Sequence, residues 1–241
     1  MNRIEDILKT SKMVLNAWKN TIGIYLGIAI FLNAYIVFSI RPFINMGNTT
    51  HSGITLPNII FIFILGITGF YEEFSVAGSM NINRRVYFTA HTFSLFIVVI
   101  FLSIVDMFSS HLLELLSGVS FYLTAELIFQ IRPDDLIILP FIAAIYLFAA
   151  TSGWLIRMLY YRANKLQKML LSLSPVILLF LLQQLDFGFI SERLRHTDII
   201  PGFFVYLLND LNILLSSIFF FSIVLVNLFL CYLLIRRAPV A

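Results

Sequence analysis

The stretch at residues 212–235 reads NILLSSIFFFSIVLVNLFLCYLLI, contains no charged side chain and is followed directly by Arg236 and Arg237. A helix needs about 20 predominantly apolar residues to cross the hydrocarbon layer of a bilayer. Outward from this stretch, five others meet the same criterion, at residues 21–40, 58–74, 87–107, 136–158 and 168–185. The sequence therefore predicts an all-α membrane protein with six transmembrane helices.

The composition indicates the same class of protein. Of the 241 residues, 60% are hydrophobic and 12% are charged, and the mean hydropathy is +0.94. A soluble domain carries about 25% charged residues, so an ordinary soluble enzyme and a disordered or coiled-coil chain are excluded. The single cysteine, Cys231, also excludes a disulfide scaffold and a multi-cysteine metal cluster.

Lys and Arg are distributed unevenly between the predicted connections. If the N-terminus is cytoplasmic, the outer connections hold only Arg41, Arg132, Arg193 and Arg195 of the 16 Lys and Arg residues, whereas most of the 13 acids lie outside. Cytoplasmic loops of membrane proteins are enriched in Lys and Arg. Both the N-terminus and the C-terminus are therefore predicted to be cytoplasmic.

A seventh apolar stretch, at residues 111–131, is interrupted by Glu114, Gly118 and Glu126. Each carboxylate near the bilayer centre would cost roughly 2.5–3.5 kcal/mol, and a seventh span would move the basic residues at 157–168 to the outside. We therefore assign residues 111–131 to an external loop with one or two interfacial helices.

Residues 1–20 have an amphipathic pattern. Apolar side chains between Ile4 and Trp18 share one helical face, and most of the basic side chains lie elsewhere on the helix. Such a helix is suited to the inner membrane surface, although a basic leader that only sets the topology would carry the same charges. We predict an amphipathic cytoplasmic interfacial helix at residues 1–20 and a six-span transmembrane domain at residues 21–241.

Motifs of enzymatic chemistry are scarce. The four histidines form no H-E-x-x-H pair, and the chain has no Gly-x-Ser-x-Gly elbow and no phosphate-binding loop that ends in Gly-Lys-Ser/Thr. Glu72-Glu73 resembles the start of the E-E-x-x-x-R motif of membrane-embedded CAAX-type proteases, but residue 77 is Ala77 instead of Arg. We predict no catalytic residue, no metal site and no cofactor on this chain.

The central parts of the six predicted spans contain no Asp, Glu, Lys or Arg, so we expect no titratable charge inside the bundle. Asn33 and Asn227 are the deepest polar residues, and each either lines a pathway or joins helices through side-chain hydrogen bonds. Small residues at helical spacing predict close helix contacts, within the chain or across a dimer. They are Gly23 with Gly27 and Ala149 with Gly153.

Three segments resemble the small permease subunits of type-2 ABC exporters from Gram-positive bacteria. The first is the turn Asn81-Ile82-Asn83-Arg84-Arg85-Val86-Tyr87-Phe88, whose first position departs from the commoner glycine, with Gly78 three residues earlier. Residues 153–165 are similar to the end of the fourth span and the loop after it, and residues 234–240 are similar to the C-terminal ending. The span count, orientation and leader helix agree with the same family.

The resemblance implies a multi-pass permease subunit in a bacterial plasma membrane, paired with a second permease copy or paralogue. Two ABC ATPase subunits would bind beneath it and supply the ATP and Mg sites. In this family the leader helix and the loop between spans two and three contact the ATPases, and spans one and two lie near the dimer axis. The residues expected in this coupling loop are Glu72, Glu73, Phe74, Met80, Arg84 and Arg85. The pathway candidates are Tyr25, Phe31, Asn33, Tyr35, Phe63, Phe70 and Asn227.

Within this family, small permeases export amphipathic or antimicrobial peptides, including phenol-soluble-modulin-like toxins, and others handle drugs, lipids or cell-wall precursors. We therefore expect a peptide-exporting transport subunit that is not an enzyme and has no nucleic-acid partner. The alternatives are a non-transporting membrane enzyme of the CAAX-protease type and an immunity or assembly membrane protein.

Overall fold

The computed structural model describes residues 3–40, 51–52, 55–117, 121–122, 138–169 and 213–236. Five long helices make up most of this part: α1 (Arg3–Ile40), α2 (Thr55–Ser79), α3 (Arg84–Ser117), α4 (Ile138–Arg162) and α5 (Ile213–Arg236). Residues 165–169 are also helical. Two strands of two residues each, β1 (His51–Ser52) and β2 (Phe121–Tyr122), pair in parallel. Apart from this short pair, the predicted helical class is confirmed for the described residues.

Each long helix contains a segment that is long and apolar enough to cross a membrane. These segments are Arg3–Leu32, Pro57–Ser79, Arg84–Ser109, Ile138–Arg162 and Leu215–Arg236. The helices are thus compatible with a membrane protein. The predicted fifth span at 168–185 lies outside the described residues except for its first two positions, and so does most of the predicted external loop at 111–131. The count of six spans and the orientation of the termini stay predictions.

Helix α1 is continuous across the boundary that was predicted at residue 20. It has 38 residues, which at 1.5 Å per residue gives a length of about 57 Å. No proline interrupts it, and Gly23 and Gly27 each cost a helix only about 1 kcal/mol relative to Ala. Residues 3–20 therefore form the first half of a long helix instead of a separate element.

Helices α2 and α3 are both longer than the spans predicted for them. Helix α2 continues to Ser79, and α3 continues to Ser117, just before Gly118. Between them, Asn81 adopts a positive φ of 55°, and the Ile82 N–H donates to the Ala77 carbonyl over 2.9 Å. This is the hydrogen bonding of a left-handed helix end. The structure therefore places a tight turn at residues 80–83, and Arg84 to Phe88 of the quoted motif already belong to α3.

Helix α4 lies at the centre of the bundle, between α2 and α5. The backbone of α2 comes close to α4 at two glycines. A Cβ atom on Gly66 would overlap the Ala150 carbonyl, and a Cβ atom on Gly153 would overlap the Phe63 carbonyl. The predicted contact at Gly153 is therefore a crossing of two helices within one chain.

Several helix ends meet at one end of the bundle. Arg84, at the start of α3, donates from Nη1 to the Arg236 carbonyl at the end of α5. Arg162, at the end of α4, lines a crevice with Ile235 of α5, and the first turns of α1 lie beside the α2–α3 turn. We call this the basic end, because it holds most of the described Lys and Arg residues.

Helices α4 and α5 run parallel to each other. Phe141 packs on Phe220 with ring centroids 5.9 Å apart, and Asn227 reaches Ser152 further along the two helices. The connection from α4 to α5 therefore begins at the basic end and finishes at the opposite end. The predicted fifth span falls within this connection.

Candidate functional site

The basic end carries a cleft of about 380 Å³ between the first turns of α1 and the α2–α3 turn. Its walls are Asp6, Lys9, Thr10, Met80, Asn81, Ile82, Asn83 and Val86. The Met80 side chain is 61% exposed, and Lys9 and Asn83 are also exposed. We call this the basic-end cleft. It combines an acid, a base and an exposed apolar side chain, which is a surface that a partner protein can contact.

Three of the six predicted coupling residues lie on the surface of the basic end. Met80 and Arg85 are exposed, and Arg84 is half-buried because it bonds to the Arg236 carbonyl over 2.9 Å. The Asn83 side chain accepts a hydrogen bond from the Arg85 backbone N–H over 3.0 Å, which caps the start of α3. Hydrogen bonds of the turn and of the start of α3 therefore fix the positions of these residues.

The other predicted coupling residues belong to the body of α2. Glu73 and Phe74 are buried, and Phe74 stacks on Phe70 with ring centroids 5.1 Å apart. The side chain of Glu72 lies outside what the structure describes. Because α2 continues to Ser79, these positions are in a helix instead of a loop, and the buried side chains face the bundle.

Glu73 forms a buried pair with His91 of α3. The Glu73 side chain is 5% exposed, that of His91 is fully buried, and Oε2 of Glu73 lies 3.1 Å from Nδ1 of His91. The imidazole packs against Trp18 of α1 and Trp154 of α4, with ring centroids 5.2 and 4.4 Å apart. We call these four residues the inner polar cluster. Each of the helices α1 to α4 contributes one of them.

A second buried polar group lies further from the basic end. The Tyr146 hydroxyl of α4 donates to Oδ2 of Asp106 on α3 over 2.6 Å, and both side chains are buried. The Tyr25 hydroxyl of α1 donates to Oδ1 of Asn58 on α2. We call these four residues the outer polar cluster. Buried carboxylates need such partners, because an unpaired buried charge is very costly.

The expectation of a bundle without titratable groups is wrong. Glu73, His91 and Asp106 are all buried among the helices. The acids stand near the ends of the predicted spans, so their burial follows from the greater length of α2 and α3. His91 was missed because only Asp, Glu, Lys and Arg were counted inside the spans, although an intramembrane histidine is equally informative.

The aromatic pathway candidates on α1 differ in their surroundings. Phe31 and Tyr35 are 70% and 63% exposed. Tyr25 is half-buried and stacks on Phe61, with ring centroids 3.8 Å apart. The side chain of Asn33 lies outside the described residues. Phe31 and Tyr35 are thus available to lipid, a second subunit or a substrate, whereas Tyr25 belongs to the contact between α1 and α2.

The remaining pathway candidates take part in helix packing. Phe63 is half-buried where α2 crosses Gly153, and Phe70 is buried in the core. The Asn227 amide donates to Ser152 over 3.1 Å and to Thr151 over 3.4 Å. Of the two roles left open for Asn227, the structure therefore favours joining α5 to α4.

A further cleft, of about 300 Å³, lies between α1 and α2. Helix α1 contributes Met13, Ala17, Trp18 and Thr21, and α2 contributes Leu65, Thr68, Gly69, Glu73 and Val76. We call this the α1–α2 cleft. It opens next to the inner polar cluster, so two residues of that cluster form part of its wall.

No protein-family model, curated protein or solved structure matches this chain. Among the described residues, no group of three or more His, Cys, Asp or Glu side chains is placed to hold a metal ion. Two clefts on the described residues are large enough to receive a ligand or part of a partner protein, the basic-end cleft and the α1–α2 cleft.

Proposed function

We propose that this chain is the transmembrane permease subunit of an ATP-driven ABC exporter of amphipathic or antimicrobial peptides. It would act as a dimer with a second copy or a paralogue in a bacterial plasma membrane. The observation that carries the proposal is the basic-end cleft, because it brings the first turns of α1 next to the α2–α3 turn. These are the two elements that the resemblance assigns to ATPase contact.

The construction of the turn supports a coupling role. Its backbone is held by the hydrogen bonds around Asn81 and by the Asn83 cap, and Arg84 connects it to the end of α5. A movement of this turn would be transmitted to α2, α3 and α5 together, because these hydrogen bonds connect the turn to all three helices. ATP binding and hydrolysis on the partner subunits would drive that movement.

The charge distribution supports a cytoplasmic position of the basic end. Lys9, Arg85, Arg162 and Arg236 are exposed there, on four different helices. Cytoplasmic segments are enriched in such residues, and ATPase subunits act from the cytoplasm. The basic-end cleft would then face the compartment in which the partner lies.

Co-purification tests this proposal directly. The tagged chain, extracted from its native membrane in a mild detergent, should elute with an ABC ATPase subunit and show vanadate-sensitive ATP hydrolysis. Replacing Lys9 by Glu together with Met80 by Asp should reduce the recovered ATPase at least about tenfold, because charge reversal at an interface costs about 2–5 kcal/mol when the charge is paired.

Lys165→Glu is the matched control, since Lys165 is an exposed base outside the basic-end cleft. It should leave the recovered ATPase unchanged. If the wild-type chain brings down no ATPase, the permease assignment fails. If the cleft variant and the control behave alike, the cleft is not the coupling surface.

A membrane-embedded hydrolase is a second candidate, favoured by the Glu73–His91 pair. A carboxylate beside an imidazole is a combination that can activate water, and Glu73 reaches the α1–α2 cleft. This alternative requires peptidase activity from the purified chain without any ATPase, and that activity would have to disappear in Glu73→Gln.

A further inference from the structure

The α1–α2 cleft has a polar floor. Glu73 reaches it from α2, and Trp18 reaches it from α1, although both side chains are at least nine-tenths buried. The indole Nε1 of Trp18 lies over Gly69, where a Cβ atom would be 2.8 Å away. Within the part of the chain that the structure describes, this N–H has no hydrogen-bond acceptor. The floor of the cleft therefore contains the Glu73 carboxylate and the Trp18 N–H, a hydrogen-bond donor without an acceptor among the described residues.

The walls of the same cleft are mostly apolar. Met13 and Ala17 lie on the α1 side, and Leu65 and Val76 lie on the α2 side. Thr21 and Thr68 add two hydroxyl groups. A ligand that matches these walls has an apolar body and a small polar group that reaches the floor.

We propose that the α1–α2 cleft binds a primary ammonium group of an amphipathic peptide at the Glu73 carboxylate, while the Trp18 N–H donates to a carbonyl oxygen of the same peptide. This inference rests on the proposed export function, since it names the part of the substrate that the chain recognises. It departs from the expectation of a bundle without titratable charge.

The charge of Glu73 and the N–H donor of Trp18 together favour a ligand that has both an ammonium group and a carbonyl oxygen. An anionic group would be repelled by the Glu73 carboxylate, and a simple hydrocarbon would leave the Trp18 N–H without an acceptor, which is costly for a buried donor. A peptide supplies both groups, because each ammonium group is accompanied by backbone carbonyls. His91 contacts Oε2 of Glu73 over 3.1 Å, so the carboxylate is oriented before the ligand arrives.

Tryptophan fluorescence can report on this cleft, because the chain has only two tryptophans, Trp18 and Trp154. The purified chain in phosphatidylcholine nanodiscs is titrated with a twelve-carbon alkylammonium that is brominated at its sixth carbon, so that the bromine stays near Trp18 when the ammonium group is at Glu73. Its uncharged counterpart is the brominated alcohol of the same length. The ammonium probe should quench the fluorescence, and Trp18→Phe should remove this quenching.

Glu73→Gln should weaken binding of the ammonium probe about tenfold or more, because charge-assisted hydrogen bonds are about twice as strong as neutral ones. Glu5→Gln, the same change at an exposed position of α1, should leave binding unchanged. Equal affinity of wild type and Glu73→Gln, or equal affinity for the ammonium and the alcohol, would overturn the proposal.

A second variant tests the same site without changing Glu73, in case Glu73→Gln does not fold. Ala17→Phe keeps the inner polar cluster intact and fills the cleft from its exposed rim. It should also lower the affinity for the ammonium probe about tenfold. Wild-type affinity in Ala17→Phe would show that the probe binds elsewhere.

Competition identifies the source of the ammonium group. An amphipathic peptide of leucine and lysine should displace the probe, and the same peptide with acetylated lysines and an acetylated N-terminus should not. If phosphatidylethanolamine in the nanodisc removes the quenching and the lysine peptide has no effect, the occupant is a lipid and the peptide assignment is wrong. These measurements need no ATPase, so their failure is distinct from a failure to co-purify with one.

Discussion

Glu73 and His91 are 18 residues apart in the chain, yet they form one buried pair between α2 and α3. A cation at residue 73 would replace the carboxylate that pairs with the buried imidazole of His91. We expect Glu73→Lys to lower the free energy of unfolding by about 3–5 kcal/mol. Thermal unfolding of the purified chain in detergent measures this change.

Glu5→Lys is the control for this substitution, because Glu5 is exposed on the first turn of α1. Surface substitutions usually change stability by less than about 0.5 kcal/mol, with up to about 1 kcal/mol from the helix dipole. Similar losses in the two variants would mean that the pair with His91 does not stabilise the bundle.

Tyr146 supports the second buried carboxylate. Its hydroxyl donates to Asp106 over 2.6 Å in a fully buried position. Removing the hydroxyl in Tyr146→Phe should cost about 1.5–3 kcal/mol, which is the range for hydrogen bonds to charged groups. The exposed Tyr160 offers the same substitution at the surface, and Tyr160→Phe should be close to neutral. An unaltered unfolding temperature in Tyr146→Phe would contradict this role.

At the scale of the elements, the glycines of the small-residue pairs have different roles. Gly153 lets α4 approach the backbone of α2 at Phe63. Among the described residues, no other helix comes within 4 Å of where a Cβ would be on Gly23 or Gly27 of α1. The same spacing of small residues thus marks a packed crossing in one helix and an open face in the other.

Alanine at these positions separates the two cases. Gly153→Ala should destabilise the chain by about 1–3 kcal/mol, because the added methyl overlaps a carbonyl in a packed crossing. Gly27→Ala, with open space at its Cβ, should not destabilise it and can gain up to about 1 kcal/mol of helix propensity. Equal stability of the two variants, measured by unfolding of the purified chain, would contradict the close crossing of α2 and α4.

For the whole molecule, the positions of the helix ends predict the sidedness of two connections. Asn83 and Asn164 are exposed and follow helices that end at the basic end. Cysteines introduced at Asn83 and Asn164 should therefore react with membrane-impermeant thiol reagents only from the cytoplasmic side. The native Cys231 is buried, so its background labelling should be low.

Labelling of the two cysteines from opposite sides would contradict the shared basic end, and labelling of both from outside would reverse the orientation. Cysteines at Asn48 and Thr197, which lie outside the described residues, should react from the outside under the six-span prediction. The same experiment therefore tests the connection between α4 and α5.

Element types were predictable because they depend on local properties of the chain. Apolar length predicted helices at the positions of α1 to α5, and Gly78 with the polar residues after it predicted the turn before Arg84. Helix ends were less accurate. The length of an apolar stretch indicates which part of a helix can lie in the hydrocarbon layer. The helix itself continues until Gly, Pro or a capping residue ends it. For this reason α1 continues across residue 20 and α3 continues to Ser117.

The candidate site was predictable only in part. Met80 and Arg85 are exposed because they lie in or beside the turn, and their role in coupling stays a prediction. The burial of Glu73 and its pairing with His91 were not predicted, because no local pattern states which side of α2 faces α3. Glu73 lies next to the end of the predicted span at residue 74, which suggested a loop, whereas the helix continues for five more residues, to Ser79.

The amino-acid sequence by itself determined the class of the protein, the helical elements and the concentration of positive charge on one set of connections. These follow from transfer free energies that add up residue by residue along the chain. The tertiary structure alone decided which side chains meet: Trp18 with Glu73 at one cleft, and Asp106 with Tyr146 across two helices. The physical reason is that such contacts depend on the rotation of each helix about its axis. That rotation is set by packing between helices, as at Gly66 and Gly153, and not by any one helix alone.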